Sequence, residues 1–365
     1  MNDNPTLKQI LSDLIAFYPV SSNQKNVHEL LVYVQKTLTK IGLESEILAN
    51  NDVYMLYAST ANQKTAKIML QSHVDVVPAK DELRKARVSK GKLYGRGARD
   101  MLFATAAYLK FFYDHKKNLD NLDISLFLNG DEEVGSDNTT PWLLKQGYSA
   151  DVVWLSDAGS KLDDLVVKAK GGFNFDLIVK GVAHHGSRPW EGNNAINKLL
   201  KLLTELLAKF EPPSIDTTTC TITQLESGDS INKGPDTARA HIDIRYINQK
   251  ELKKYQSIIN SLCKKFDGEI QNILLIPDYS VDTNSDIIKQ YIKINESITG
   301  QKVNKIPATG SSDARYFSQE NIPVIMTRPI SHGSHSDNEW IDLKSYQEYY
   351  KVMSKYIVDV ATISK

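Results

Sequence analysis

Cysteine is scarce in this 365-residue chain: Cys220 and Cys263 are too few for a disulfide framework and fall in no motif, so both read as buried free thiols. No apolar run approaches the roughly 20 residues of a membrane span. The amino terminus, Met1-Asn2-Asp3-Asn4-Pro5, lacks a basic stretch followed by an apolar one, and a cytoplasmic protein is the default expectation. Net charge is missing as well. Lysine plus arginine total 44 against 44 for aspartate plus glutamate, which leaves no basic field for nucleic acid and no polybasic membrane anchor. Repeats and low-complexity tracts are absent. What remains is a globular chain long enough for two domains, whose partner is expected to be a small molecule.

The informative residues are acids and histidines placed where apolar runs end. Ala66-Lys67-Ile68-Met69-Leu70 reads as a buried strand leading into Gln71-Ser72-His73-Val74-Asp75. Two residues apart on a strand share a face, so the Asp75 carboxylate is expected behind His73, accepting the ring N–H that a metal-bound imidazole leaves free. The plain alternative is a strand-end histidine steadied by an acid. Asp100 follows a glycine-punctuated turn, Gly95-Arg96-Gly97-Ala98-Arg99, and precedes an apolar helix from Phe103 to Tyr113. The buried strand Ile124 to Asn129 empties into Gly130-Asp131-Glu132-Glu133. Three adjacent acids repel unless solvent or a cation relieves them, and neighbours point in different directions, so one glutamate can bind metal while the next serves as general base. Asp157 ends the strand Asp151 to Leu155, and His335 lies in Ser334-His335-Ser336-Asp337-Asn338-Glu339 after the strand Pro323 to Met326. Strand C-terminal edges are where open α/β sheets bind ligands. Two histidines with several carboxylates and no cysteine suit zinc, cobalt or manganese. Singly, each acid reads as readily as a cap or a solvated loop residue.

Taken in order, these segments resemble the M20 metallopeptidases, a family of carboxypeptidases, aminoacylases, dipeptidases, acetylornithine deacetylase and succinyl-diaminopimelate desuccinylase. The resemblance runs nearly end to end. It rests on His-x-Asp-x-Val-Pro at His73, Gly-Arg-Gly-Ala-x-Asp at Asp100, the pair Glu132-Glu133, Ser-Asp-x-Gly at Asp157 and His-x-x-Asn-Glu at His335. It implies two Zn2+ per chain (or Co2+ or Mn2+), one held by His73, Asp100 and Asp157, the other by Asp100, Glu133 and His335. Glu132 is then the general base and Asp75 its catalytic companion behind His73.

The resemblance also implies an α/β fold: a mixed-sheet di-zinc exopeptidase catalytic domain, residues 1–166 and 283–365, with an inserted ferredoxin-like α+β lid or dimerisation domain, residues 167–282. The insert's own pattern agrees: strand Leu165 to Val179, helix Asn194 to Phe210, strands Cys220 to Leu225 and Thr237 to Tyr246, helix Lys250 to Lys265 and strand Glu269 to Ile276. There the family pattern falls on His185 for the oxyanion, with His184 the competing assignment, and on Asn232 and Arg245 for substrate. Arg245 suits a carboxylate because its planar fork donates two parallel hydrogen bonds, though a strand salt bridge explains it equally. Gly310 and Ser311, in Ala308-Thr309-Gly310-Ser311-Ser312-Asp313, match the loop that closes on the substrate, and Ser312 or Asp313 reads also as a helix cap.

Two departures stand out. Met101-Leu102-Phe103-Ala104 replaces the lysine and glycine usual after the bridging aspartate, and the charged loop Ala79 to Lys90 lacks the family's tryptophan and proline-phenylalanine element. The expected reaction is hydrolysis of a dipeptide or short peptide beside a free carboxylate, since Gly135-Ser136 follows the double glutamate as in the carboxypeptidase and dipeptidase branch. N-acyl-amino-acid deacylation is the runner-up, and a catalytically silent binding or assembly protein is the reading from another class. A homodimer through the insert is the family expectation, with a monomer equally compatible.

Overall fold

The computed structural model describes residues 4–308 and 310–363. The chain divides into two compact units: one formed by the chain up to Val167, by Ser280–Ala308 and by the segment from Ser312 on, the other by Lys168–Tyr279 with Gly310 and Ser311.

The larger unit is built on a six-stranded mixed sheet in the order Ser45–Asn50, Val53–Ser59, Ile124–Asn129, Thr65–His73, Ser149–Leu155, Val324–Ile325. The last four strands run parallel, and the first two pair antiparallel with their neighbours. Every residue of Ile124–Asn129 is buried, which is why that strand reads as an uninterrupted apolar run rather than an alternating one. Helix Leu102–His115 is apolar nearly all round and packs against helix Leu7–Ala16 and strand Thr65–His73. The unusual Met101, Leu102 and Phe103 are all fully buried in this packing, and the Phe103 ring meets Tyr346 and Tyr349 edge-on at 5.9 and 5.6 Å. The altered turn therefore feeds the core.

A second, four-stranded antiparallel sheet joins Ser331–His332, Trp340–Asp342, Lys92–Tyr94 and Arg87–Ser89. Trp340 lies opposite Tyr94, so the turn that follows Tyr94 and the loop that precedes Trp340 leave the same end of one strand pair. Asp100 sits in the first and His335 in the second.

The smaller unit has four antiparallel strands in the order Thr219–Ser227, Thr237–Tyr246, Gly171–Lys180, Gly268–Ile276, with helices Ala195–Leu207 and Gln249–Phe266 packed on them. Its β-α-β-β-α-β order and strand arrangement are ferredoxin-like. Thr237–Tyr246 alternates between buried and partly exposed residues, so Ala238, Ala240, Ile242, Ile244 and Tyr246 form its core face. The single strand expected over Leu165 to Val179 is in fact two, Asp164–Ala169 and Gly171–Lys180. A continuous apolar run does not distinguish one strand from two in different sheets. The glycine at 171 marks the break: a Cβ there would lie 2.2 Å from the Tyr246 ring. Both cysteines are free thiols, Cys263 buried and Cys220 half-buried.

Candidate metal centre and active site

Three of the parallel strands deliver side chains to one edge. His73 is the last residue of Thr65–His73 and is buried. Its Nδ1 lies 2.9 Å from the backbone carbonyl of Asp75, and because a carbonyl only accepts, Nδ1 carries a proton and Nε2 is the nitrogen turned to the acidic cluster. The expected acceptor was the Asp75 carboxylate, which instead stands 3.5 Å from Nδ1. The strand ends at His73, so the two residues do not share a pleated face. The Asp75 carboxylate is taken up by the backbone N–H groups of Glu132 and Glu133, at 3.1 Å each, and by the Ser21 hydroxyl at 2.6 Å.

His73 Nε2 lies 3.2 Å from Asp100 Oδ1 and 3.9 Å from Asp157 Oδ1. The other oxygen of Asp100 lies 3.4 Å from His335 Nε2, which is 2.8 Å from Glu133 Oε2. Asp100 thus shows one oxygen to each histidine. Ligand atoms of His73, Asp100 and Glu133 lie within 4.8 Å of one another, as do those of His73, Glu132 and Asp157. The structure brings together all six expected residues: His73, Asp100, Glu132, Glu133, Asp157 and His335.

The three consecutive acids divide by direction. Asp131 turns inward to the Asn138 N–H and the Thr139 hydroxyl, and burial pushes its carboxyl up to about 6. Glu132 and Glu133 lie on a short 3-10 turn closed by Gly135 in the left-handed region, φ +112°. Burial, then the Asp157 charge, raises Glu132 well above the usual carboxylate range. Burial carries Glu133 up to about 7, and Asp157 is raised by burial. Asp100 goes the other way: despite burial, hydrogen bonds from His335 and His73 hold it well below the usual range. His335 is raised to about 9, first by its hydrogen bond to Asp100.

The donor set fits divalent ions. Four carboxylates and two imidazoles converge, no thiolate is among them, and Glu133 Oε1 is buried without a hydrogen-bond partner among the described residues. A cluster so acidic is costly without a cation.

Three residues near the site were not assigned from sequence. Arg328 is buried, with Nη2 3.6 Å from Asp157 Oδ1 and Nε without a hydrogen-bond partner among the described residues. Asp313 occupies the N-cap position of helix Ala314–Gln319 but makes no capping bond with its side chain. It accepts instead from Gln71 at 3.1 Å, Asn129 at 2.8 Å, Thr140 at 2.7 Å and the Ser136 hydroxyl, tying two strand ends to the glutamate turn. The third is Glu339, buried beneath the Asp100 turn. Glu339 closes the His-x-x-Asn-Glu motif and Asp313 the Gly-Ser-Ser-Asp segment, which mark their places in the chain but not their contacts.

His185, Asn232, Arg245, Gly310 and Ser311 belong to the smaller unit. There the segment with His184 and His185 pairs with Lys233–Gly234, and Gly186 N–H donates to the Asn232 carbonyl at 2.7 Å. The His184 ring fills the space beside Gly192 and Gly234. His185 is exposed, its Nδ1 2.8 Å from the Ser187 hydroxyl. Arg245 pairs along its own strand with Asp243, Nε to Oδ1 at 2.8 Å. Gly310 and Ser311 are exposed.

The model of Peptidase family M20/M25/M40 matches residues 69–359. A succinyl-diaminopimelate desuccinylase of Rickettsia bellii is 28% identical, over 97% of this chain and 96% of its own. Among solved structures, aminopeptidase PepT from Bacillus cereus superposes with a TM-score of 0.77 at 18% identity, covering 97% of this chain and 98% of that one. The YXEP protein of Bacillus subtilis, a dinuclear metal-binding peptidase, superposes at 0.72 and 14%, covering 98% of each. These two likenesses are of fold.

Proposed function

The chain belongs to peptidase family M20/M25/M40, and from that membership we propose that it is a di-metal hydrolase cleaving a peptide bond beside a free carboxylate in a dipeptide or short peptide. The observation that carries the reading is the convergence of six side chains, with Asp100 facing both histidines. His73, Asp100 and Asp157 would hold one ion, and Asp100, Glu133 and His335 the other, with zinc the first candidate and cobalt or manganese compatible. Two ions so held supply Lewis acidity that polarises the amide carbonyl and makes a nearby water more acidic. Glu132 is then the proton carrier. It takes a proton from the attacking water and gives it to the departing amine nitrogen. Asp75 fixes the turn carrying Glu132 through the two N–H bonds. In the smaller unit, His185 is the proposed donor to the developing oxyanion, Asn232 and Arg245 bind substrate, and Gly310 and Ser311 offer backbone donors to its tail.

The 28% identity to desuccinylases over nearly the whole chain favours a second reading, removal of a simple acyl group from an amino acid. Both reactions release an amine from an amide near a carboxylate. The deciding experiment is elemental analysis of the purified protein before and after chelation, with amine release from dipeptides, tripeptides and N-acetyl- and N-succinyl-amino acids. Two ions per chain with chelator-sensitive peptide cleavage supports the first reading, and cleavage of acyl-amino acids alone supports the second. Protein that takes up no metal and cleaves neither class rejects both.

A further inference from the structure

Glu339 is wholly buried, and neither of its carboxylate oxygens is idle. Oε1 accepts three backbone N–H groups of one turn: Gly97 at 3.1 Å, Arg99 at 2.8 Å and Asp100 at 3.1 Å. Oε2 accepts from Arg96 Nη1 at 2.5 Å, and the Glu339 backbone carbonyl accepts the Gly95 N–H at 3.2 Å. Gly97, at φ +89°, allows the turn to aim several N–H groups at one point, the geometry of an anion-binding nest. Here the anion belongs to the chain. Arg99 closes the arrangement from the other side, donating from Nε to the Ser334 hydroxyl at 2.5 Å and from Nη1 to the Ser331 carbonyl at 3.2 Å.

The two halves of the acidic cluster are therefore supported differently. His73 and Asp157 stand at or just past the ends of neighbouring parallel strands, and the six-stranded sheet fixes their separation. Asp100 and His335 stand on two loops, one holding Glu339 itself and the other hydrogen-bonded to it. We propose that Glu339 is a positioning residue for Asp100 and His335, and sets the affinity of the cluster for divalent ions, most of all for the outer ion that both residues would hold, without touching either ion. The proposal rests on the di-metal reading above. Its physical basis is that Asp100 receives its orientation from its backbone, whose N–H Glu339 holds, while His335 lies four residues before the same anchor. Groups that orient metal ligands typically change affinity about ten- to a hundredfold when removed.

The test uses metal-free full-length protein titrated with Co2+ alone, read by calorimetry and by the visible absorption of bound cobalt. Removing Glu339 alone would strand the buried Arg96 charge, so both partners are changed together: Arg96→Met/Glu339→Met removes the acceptor, and Arg96→Met/Glu339→Gln keeps a carbonyl for the three N–H groups. Replacing both members of a buried pair by apolar groups is often nearly neutral for folding, and melting temperature checks it. His335→Ala gives the reference titration for loss of the outer ion. The expected result is two ions in the parent and in the glutamine pair at affinities within about threefold, with the methionine pair losing the His335→Ala ion about ten- to a hundredfold. Parental binding of both ions by the folded methionine pair overturns the proposal, as does a loss greater for the inner ion than for the outer, because Asp100 would serve both ions and His335 only the outer. If the methionine pair does not fold, Glu339→Asp, which keeps the charge beside Arg96 but draws the carboxylate back from the three N–H groups by one methylene, decides alone: weakening of the outer ion by about tenfold or more upholds the proposal, and parental affinities overturn it. A parent that binds fewer than two ions defeats the di-metal reading itself, and this inference with it.

Discussion

The Asp75 carboxylate accepts the backbone N–H of Glu133 at 3.1 Å, and its second oxygen accepts that of Glu132 at the same distance. The aspartate behind the strand-end histidine thus governs the glutamates more than the imidazole. Asp75→Asn puts an NH2 donor where one of two N–H groups needs an acceptor. The expected effect is a fall in kcat of about ten- to a hundredfold, with His73 still able to use the Asp75 carbonyl. Steady-state kinetics at saturating Zn2+ checks it, and a parental kcat would refute the role.

Glu132→Ala should lose about two to four powers of ten in kcat, the usual contribution of a positioned acid–base group. Metal content should be unchanged, because the proposed ligands all remain. The pair of measurements matters, since loss of metal along with activity would make Glu132 a ligand. A kcat within about tenfold of the parent would remove it from the mechanism.

The strand ends that carry the site were legible because a buried parallel strand is an apolar run and a charged residue after it stands out, as at Asn129 to Glu132 or Leu155 to Asp157. Helix Leu102–His115 was legible as the apolar stretch from Phe103 to Tyr113 after the glycine-punctuated turn. What sequence could not give is direction. Whether His73 meets the carboxylate or the carbonyl of Asp75 depends on where the pleat stops, and the break between Ala169 and Gly171 depends on which sheet takes each half. The contacts of Glu339, Asp313 and Arg328 were opaque for a further reason. Their partners lie far along the chain, Asp100 being 239 residues from Glu339, and no local pattern records such a contact.

Ion binding should be coupled to proton release. In the metal-free cluster His335 holds its proton up to about pH 9, Glu133 up to about 7, and His73 above the ordinary imidazole range through its acidic neighbours, and each must give one up to become a ligand. Apparent affinity therefore rises with pH, steeply below 7 and more gently towards 9, by about tenfold per unit for each proton displaced. Competition with a chelator at pH 6, 7 and 8, corrected for the chelator's own protonation, measures this. A flat profile would mean that none of these groups is a ligand.

Asp176, buried on the face of the smaller unit's sheet turned away from its helices, accepts from Asn272 at 2.5 Å, His241 at 2.8 Å and Arg239 at 2.7 Å, and these bonds hold its carboxyl well below the usual range. A depressed folded value adds stability above the unfolded value of about 3.9, and that stability is lost as pH falls below it. Urea midpoints of the parent and Asp176→Asn should differ at pH 6 and converge towards pH 3. A gap that stays constant across that range would show that the charge of Asp176 does not contribute.

The adjacent histidines of the smaller unit should separate by phenotype. The His184 ring lies where a Cβ on Gly234 or Gly192 would come within 2.2 or 2.8 Å of it, so it fills a space that those glycines leave. His184→Ala removes that packing and should lower the melting temperature. His185 is exposed and, among the described residues, bonded through its ring only at Nδ1, to Ser187, which leaves Nε2 for a ligand. His185→Ala should leave the melting temperature and metal content at parental values and lower kcat by about a hundred- to a thousandfold, the cost of one oxyanion donor. KM should change far less than kcat, because such a donor acts on charge that appears only in the transition state. The reverse pattern, with His184→Ala stable and inactive and His185→Ala active, would exchange the two assignments.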